Sequence, residues 1–319
     1  MNFEKVKSKN ILVAGGAGFV GMNLTPRLLE LGANVRSTFF NKQPAIKFAG
    51  VEYIKSDLRI SSDCNVACKD MDYIFMCAAN SSGAAIIENE PLTHLTPNII
   101  MNAQMLSAAH SNNVRKFIFI SSNTVYPVSD TPMREGDIDF NFFEKYYIVG
   151  WMKVFSEIMC GIYSNHIKDK MNTLVIRPGN LYGPFDKYSW EESKVIAALV
   201  RRFAENRNPL DVWGNGQDIK DFLYISDFID GLIEASFTED LISPINIASG
   251  EEITINNVID CLQKITGKNV KINYKSGMPS MIPVRSIDIN KAKANLEWKP
   301  KTSLMEGLSK TLEWYINNK

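Results

Sequence analysis

Along the first 180 residues, short runs of consecutive apolar residues alternate with stretches whose apolar positions recur every three or four residues. The two patterns belong to different elements: buried strands carry unbroken apolar runs, and helices carry an apolar stripe. Residues 10–16 (NILVAGG) predict a strand closing on glycines, and residues 22–32 an amphipathic helix stopped by Gly32. Further strands are expected at ANVRSTFF, VEYIKSD, residues 72–79 (DYIFMCAA), 114–122 (VRKFIFISS) and 172–180 (NTLVIRPGN). Helices are expected near 98–112 and 148–167. Near-continuous apolar strands separated by helices predict the α/β class with a doubly wound parallel sheet.

After Asn180 the alternation weakens. YGPFDKYSWEES reads as a polar, aromatic loop, KVIAALVRRFAE and ITINNVIDCLQKIT as helices, and DFLYISDFIDGLIEASF and PINIASG as returns to the main sheet. No repeat or long linker separates the halves, so a smaller C-terminal lobe is expected to interleave with the first. The division is a dinucleotide domain over 1–180, with returns near 221–250, and a substrate lobe over 181–220 and 251–319.

Composition narrows the class without naming it. Lys+Arg and Asp+Glu both number 35, so no basic field points to nucleic acid or to an anionic membrane. The five cysteines form no C-x-x-C pair and no metal spacing, which fits a reducing compartment. The first residues lack a signal-peptide apolar core and no apolar run reaches 18 residues, so a cytoplasmic protein is expected.

GGAGFVG places Gly15, Gly18 and Gly21 between a strand and a helix, where a pyrophosphate can rest on helix amides. The G-x-x-G-x-x-G spacing resembles the extended short-chain dehydrogenase/reductase superfamily. SDL (56–58), CAA (77–79), SSNTVYP (121–127), RPGNLYGP (177–184), NIASGE (246–251) and WKP (298–300) extend that resemblance along nearly the whole chain, toward nucleotide-sugar epimerases, dehydratases and reductases. It implies a Rossmann domain and a cofactor site at Gly15, Gly18, Phe19, Val20, Gly21, Asp57, Leu58, Ala78, Ala79, Lys153 and Pro178, with Asn180 near the nicotinamide. No acid ends the second strand to bind a ribose 2′-OH: Phe39 stands there, with Arg36 and Lys42 nearby, so NADP is not excluded. Arg36 reads equally as a phosphate ligand or a solvated strand-end charge.

The second lobe is similar to GDP-sugar enzymes, particularly the GDP-fucose synthases. By matching position, Val195, Leu199, Arg202, Trp213 and Lys220 would line a nucleotide pocket, with Arg285 a further cation and Asn123 on the substrate side. Tryptophan can cover a π face, and arginine and lysine can pair with a diphosphate. Where 4,6-dehydratases carry an Asp-Glu pair, this chain has Asn123 and Thr124. Where GDP-fucose synthases carry a cysteine and a histidine, it has Thr124 and Lys194. Thr124 is a poor proton shuttle, and Lys194 would serve as a base only if burial lowered its pKa. Hydride transfer survives this elimination. SSNTVYP and VGWMK resemble the GDP-D-glycero-α-D-manno-heptose 4-dehydrogenases of bacterial capsule pathways, which implies NAD as cofactor, a GDP-sugar substrate and a homodimer or homotetramer. An epimerase and a non-catalytic dinucleotide sensor are the competing expectations.

Ser122 aligns with the hydroxyl that holds the reacting oxygen and Lys153 with the lysine of a Tyr-x-x-x-Lys pair, but residue 149 is Val149. In KYYIVGWMK a regular helix puts Tyr146 on the face of Lys153, roughly 10 Å along the axis, and turns Tyr147 about 120° aside. Either phenol could reach the reacting oxygen if the helix began late, and both could equally be packing residues. Tyr146 is the candidate proton relay.

Overall fold

A computed structural model describes residues 3–80, 90, 92–190, 192–241, 243–275 and 282–319. The main sheet comprises β1 (Asn10–Ala14), β2 (Asn34–Phe39), β3 (Glu52–Lys55), β4 (Tyr73–Met76), β5 (Lys116–Ile120), β6 (Asn172–Pro178) and, from far along the chain, the edge strand Ile245–Ile247. Its order is Ile245–Ile247, β6, β5, β4, β1, β2, β3, and every pair is parallel. This doubly wound order reverses between β1 and β4, and such a switch point opens a crevice at the carboxyl ends of the strands.

Helices α1 (Phe19–Glu30), α2 (Ser61–Cys68), α3 (Leu92–Ser111) and α4 (Tyr147–Asn165) flank the sheet. α1 begins three residues before the apolar stripe does, because GFVG supplies a first turn without periodicity. α3 likewise begins ahead of the expected 98, carrying Pro97 inside it. α2 was not foreseen; it is eight residues long and mostly polar on its outer face.

Beyond β6 the chain forms β7 (Asn180–Tyr182), α5 (Val195–Ala204), β8 (Leu210–Trp213), β9 (Ile219–Lys220), β10 (Phe222–Tyr224) and α6 (Ile225–Phe237). After the edge strand Ile245–Ile247, numbered β11, come β12 (Ile253–Thr254), α7 (Ile255–Thr266), β13 (Ile272–Lys275), β14 (Val284–Arg285), α8 (Asn290–Asn295) and α9 (Leu304–Asn318). β11 joins the main sheet as expected. β10 does not: among the described residues it pairs in parallel with β7 alone, and α6 behind it packs against α1. α7 carries a complete capping box at Thr254 and Asn257 and ends on the left-handed Gly267. Asp227 accepts the amides of Lys301 and Thr302, and its carbonyl accepts Trp298 Nε1 at 2.8 Å, so the WKP motif anchors the C-terminal segment.

Candidate functional site

Backbone packs on backbone at the carboxyl end of β1. Gly15 has φ +87°, and a Cβ there would lie 2.6 Å from the Cα and N of Ala78. A Cβ on Gly21 would lie 2.5 Å from the Cα of Gly16, so only glycine lets α1 settle on the loop. Gly18 is the N-cap and contributes no side-chain bond, leaving the first-turn amides of Phe19, Val20 and Gly21 uncapped. Uncapped amides at the positive end of a helix, beside a turn without side chains, fit a dinucleotide pyrophosphate. Ala78 and Ala79 follow β4 into this crevice, and Pro178 ends β6 on its far side.

Beyond the carboxyl end of β3, Leu58 is buried and Asp57 is bridged by both ends of the Arg59 guanidinium, at 2.8 and 2.6 Å. That pairing holds the Asp57 carboxyl below its ordinary range. Arg59 also covers the exposed ring of Phe40 at 5.2 Å. Arg36 takes neither of its expected parts: it pairs with Glu52 at 2.7 Å and donates to the carbonyls of Ala67 and Lys69. It caps the C-terminus of α2, where a cation complements the helix dipole.

β5 delivers the next segment. Ser122 caps a single 3-10 turn, Asn123–Val125; its Oγ accepts the Thr124 amide at 3.1 Å and the Thr124 hydroxyl at 2.9 Å. With Thr124 donating, the Ser122 proton is free to be given to another oxygen. Asn123 is buried beneath this turn. Lys153, on α4, reaches the Ile120 carbonyl at 2.8 Å and lies over the Phe119 ring. Burial lowers its pKa to about 8, with Glu157 opposing and Lys194 assisting. The carboxyl end of β5 and the first turns of α4 thus bring Ser122, Thr124 and Lys153 together at the carboxyl end of the sheet.

Behind them runs a buried polar network that sequence reading did not find. Glu157, one turn beyond Lys153, receives Arg177 through two bonds, at 3.0 and 2.6 Å, and also the Ser121 hydroxyl. Arg177 donates onward to the Tyr126 hydroxyl at 3.1 Å and the Glu135 carbonyl at 2.8 Å, and Tyr126 donates to Asn246 at 2.6 Å. The SSNTVYP, RPGN and NIASG motifs therefore meet one another as well as facing the crevice.

α4 begins at Tyr147 and runs regularly through Lys153, so Val149 occupies the face a tyrosine would need. Tyr146 is the N-cap, outside the helix, with φ −109° and ψ 9°. It is half-buried; burial raises its pKa, and the nearby Arg285 charge opposes that rise. Tyr147 is exposed and packs edge-on against Phe142 and Trp151.

The expected pocket residues divide. Val195 and Trp213 are exposed, whereas Leu199 is buried in the main core and contributes packing. Arg202 donates to the Asp211 carbonyl at 2.6 Å and lies 5.7 Å from the Trp190 ring. Lys220 bonds the Ile282 carbonyl and sits 3.6 Å from Asp218. Arg285 is 2% exposed, donates to the carbonyls of Tyr126 and Pro127, and keeps an unpartnered Nε. Asn180 donates its side-chain amide to the Asp221 carbonyl at 3.1 Å. Lys194 is exposed, so the burial that would make it a base is missing. Further titratable groups escaped the sequence reading, among them Asp186, whose carboxyl burial pushes up against the pull of Lys194, and His94, 4% exposed with an unpartnered Nε2. Neither sits in a motif that would have marked it.

Comparison with known proteins matches this arrangement. The model of the NAD dependent epimerase/dehydratase family matches residues 11–248. The chain is 28% identical to a putative GDP-L-fucose synthase 2 of Arabidopsis thaliana, over 99% of this chain and 94% of the relative. Among solved structures, a UDP-glucose 4-epimerase of Thermotoga maritima with UDP-glucose superposes with a TM-score of 0.87 at 27% identity, covering 97% and 99% of the two chains. A UDP-glucuronic acid 4-epimerase of Bacillus cereus, in complex with UDP-glucuronic acid and NAD, gives 0.85 at 25% identity over 97% and 100%. NAD fits the glycine cradle on the geometry given above, and the chain belongs to the NAD-dependent epimerase/dehydratase family.

Proposed function

We propose that the protein is an NAD-dependent oxidoreductase acting at C4 of a GDP-linked sugar of the GDP-heptose or GDP-mannose type, in the synthesis of a bacterial surface polysaccharide. The observation that carries this reading is the Ser122–Thr124 hydroxyl pair beside Lys153, with no acid at 123 or 124 and an exposed Lys194. Elimination of water needs an acid and base, and epimerisation at C3 or C5 needs two proton carriers; these residues supply neither. When bound, NAD accepts or returns a hydride at the sugar carbon. Ser122 holds the reacting oxygen, Lys153 supplies positive charge at the cofactor ribose, and Tyr146 relays the alcohol proton. Gly15, Gly18, Phe19, Val20, Gly21, Asp57, Leu58, Ala78, Ala79 and Pro178 hold the dinucleotide. Val195, Arg202, Trp213, Lys220 and Arg285 face the GDP moiety, and Asn123 and Asn180 the sugar. The division into a dinucleotide domain and an interleaved substrate lobe belongs to the same proposal.

The test is turnover of GDP-mannose and GDP-D-glycero-α-D-manno-heptose, followed by reduced cofactor in one direction and by its loss with the 4-keto sugar in the other. Absence of turnover with every GDP-sugar in both directions refutes the proposal. An epimerase is the second reading, supported by Asp186, a half-buried carboxyl close to the Lys194 charge. Solvent deuterium entering a sugar carbon without net redox change selects it.

Lys153 supplies a pH prediction. Its pKa of about 8 means that the cation is lost as pH rises through that value. The basic limb of kcat/KM is therefore expected near pH 8, and Lys153→Arg, permanently charged, moves it upward. A limb that stays in place in the arginine variant removes Lys153 from the profile.

We propose a homodimer formed through α3 and α4. Ile100, Trp151, Phe155, Ile158 and Ile162 are all exposed on these two helices, a larger apolar stripe than a solvated face carries. Trp151→Glu is expected to convert the dimer to monomer in light scattering, and a wild-type protein that is itself monomeric contradicts this.

A further inference from the structure

Asn23 lies on α1, one turn beyond Phe19, and its side-chain amide divides its two hydrogens. One goes to the Phe19 carbonyl of its own helix at 2.8 Å, the other to the Pro184 carbonyl at 3.0 Å. The second bond spans 161 residues and joins the helix that starts at the glycine cradle to the loop that leads into α5. That loop has little freedom around the bonded carbonyl. Gly183 has φ +145°, and a Cβ on it would lie 2.5 Å from Ile225; Phe185 holds a left-handed φ of +67° with its ring 5.0 Å from Trp314. Further along, Arg201 of α5 donates to the Tyr188 carbonyl, beside Arg202. A continuous series of bonds therefore connects the first turn of α1 to the middle of α5.

We propose that Asn23 is a positioning residue that couples occupancy of the dinucleotide site to occupancy of the sugar-nucleotide site. This rests on the assignment of those two sites given above. A dinucleotide on the first turn of α1 fixes the helix; through Asn23 it fixes the Pro184 carbonyl and the loop that frames the second ligand. Ordering done by the first ligand need not be repeated by the second, and the linkage is reciprocal.

The experiment titrates NADH by its fluorescence in the absence and presence of saturating GDP, for the wild type, Asn23→Ala and Asn23→Leu. Leucine keeps the branched shape and the number of side-chain heavy atoms of asparagine and removes the donor. In the wild type GDP is expected to tighten NADH by at least about fivefold, the lower range of typical site coupling. In both variants the ratio falls to near one, while each ligand alone binds within about twofold of wild type and the melting temperature is retained. Variants that keep the wild-type ratio, or a wild type whose ratio is one, overturn the inference while leaving the proposed function standing. Failure of NADH or of GDP to bind the wild type alone refutes the proposed function, and the coupling falls with it.

Discussion

Ser122→Ala is expected to lower kcat by about 10²–10³-fold with little change in NADH affinity, the usual cost of removing one positioned donor at a reacting oxygen. The donor is positioned because Thr124 gives its own hydroxyl proton to Ser122 at 2.9 Å, so Ser122 has its hydrogen to spare. Tyr146→Phe is expected to cost on the order of tenfold, since water can replace a proton relay in part. Tyr147→Phe, a change on an exposed ring packed against Trp151, should leave activity unchanged. Single-turnover rates on the four proteins check the ranking. Full activity in both phenylalanine variants makes both tyrosines packing residues and leaves Val149 as the mark of a different proton path.

The second large effect is on stability. Arg177 is 3% exposed and its guanidinium is divided among Glu157, Tyr126 and the Glu135 carbonyl. Arg177→Ala leaves the Glu157 carboxylate buried without its partner, a loss of about 3–5 kcal/mol when one member of such a pair is removed. Urea denaturation monitored by tryptophan fluorescence measures it. The double variant Arg177→Met with Glu157→Gln should recover part of the loss, because no uncompensated charge remains. A loss below about 1 kcal/mol in Arg177→Ala, the range of an exposed pair, would mean that the network is solvated. Since Glu157 also receives Ser121, the alanine variant should disturb the neighbouring Ser122 and lower activity beyond what unfolding accounts for.

The sheet was legible because its strands are uninterrupted apolar runs, and its parallel, doubly wound character followed from their alternation with helices; the order of the strands came from the structure. The misses have local causes. α2 is short and polar, α1 opens on glycines, and Pro97 disguised the start of α3. Phe222–Tyr224 has the apolar character of a central strand but is three residues long, and tertiary packing sent it to β7. The glycine cradle was readable because its glycines sit in a fixed spacing between a strand and a helix, and Ser122 and Lys153 were singled out because the stretches around them resemble the family's motifs. The Glu157–Arg177–Tyr126–Asn246 network was not, because its members lie up to 120 residues apart and no spacing links them. The same holds for Asn23, which in sequence is one more polar position on an amphipathic helix. Arg36 shows the limit from the other side: a cation at a strand end carries no sign of whether it meets a phosphate or a helix terminus.

Incubation of the enzyme with GDP-[4-²H]mannose and NAD, followed by mass spectrometry of the nicotinamide, tests the central claim most directly. The account predicts deuterium on the reduced nicotinamide ring and a 4-keto sugar of unchanged C3 and C5 isotopic content. Unlabelled cofactor, or deuterium lost to solvent while C3 or C5 exchanges, contradicts it.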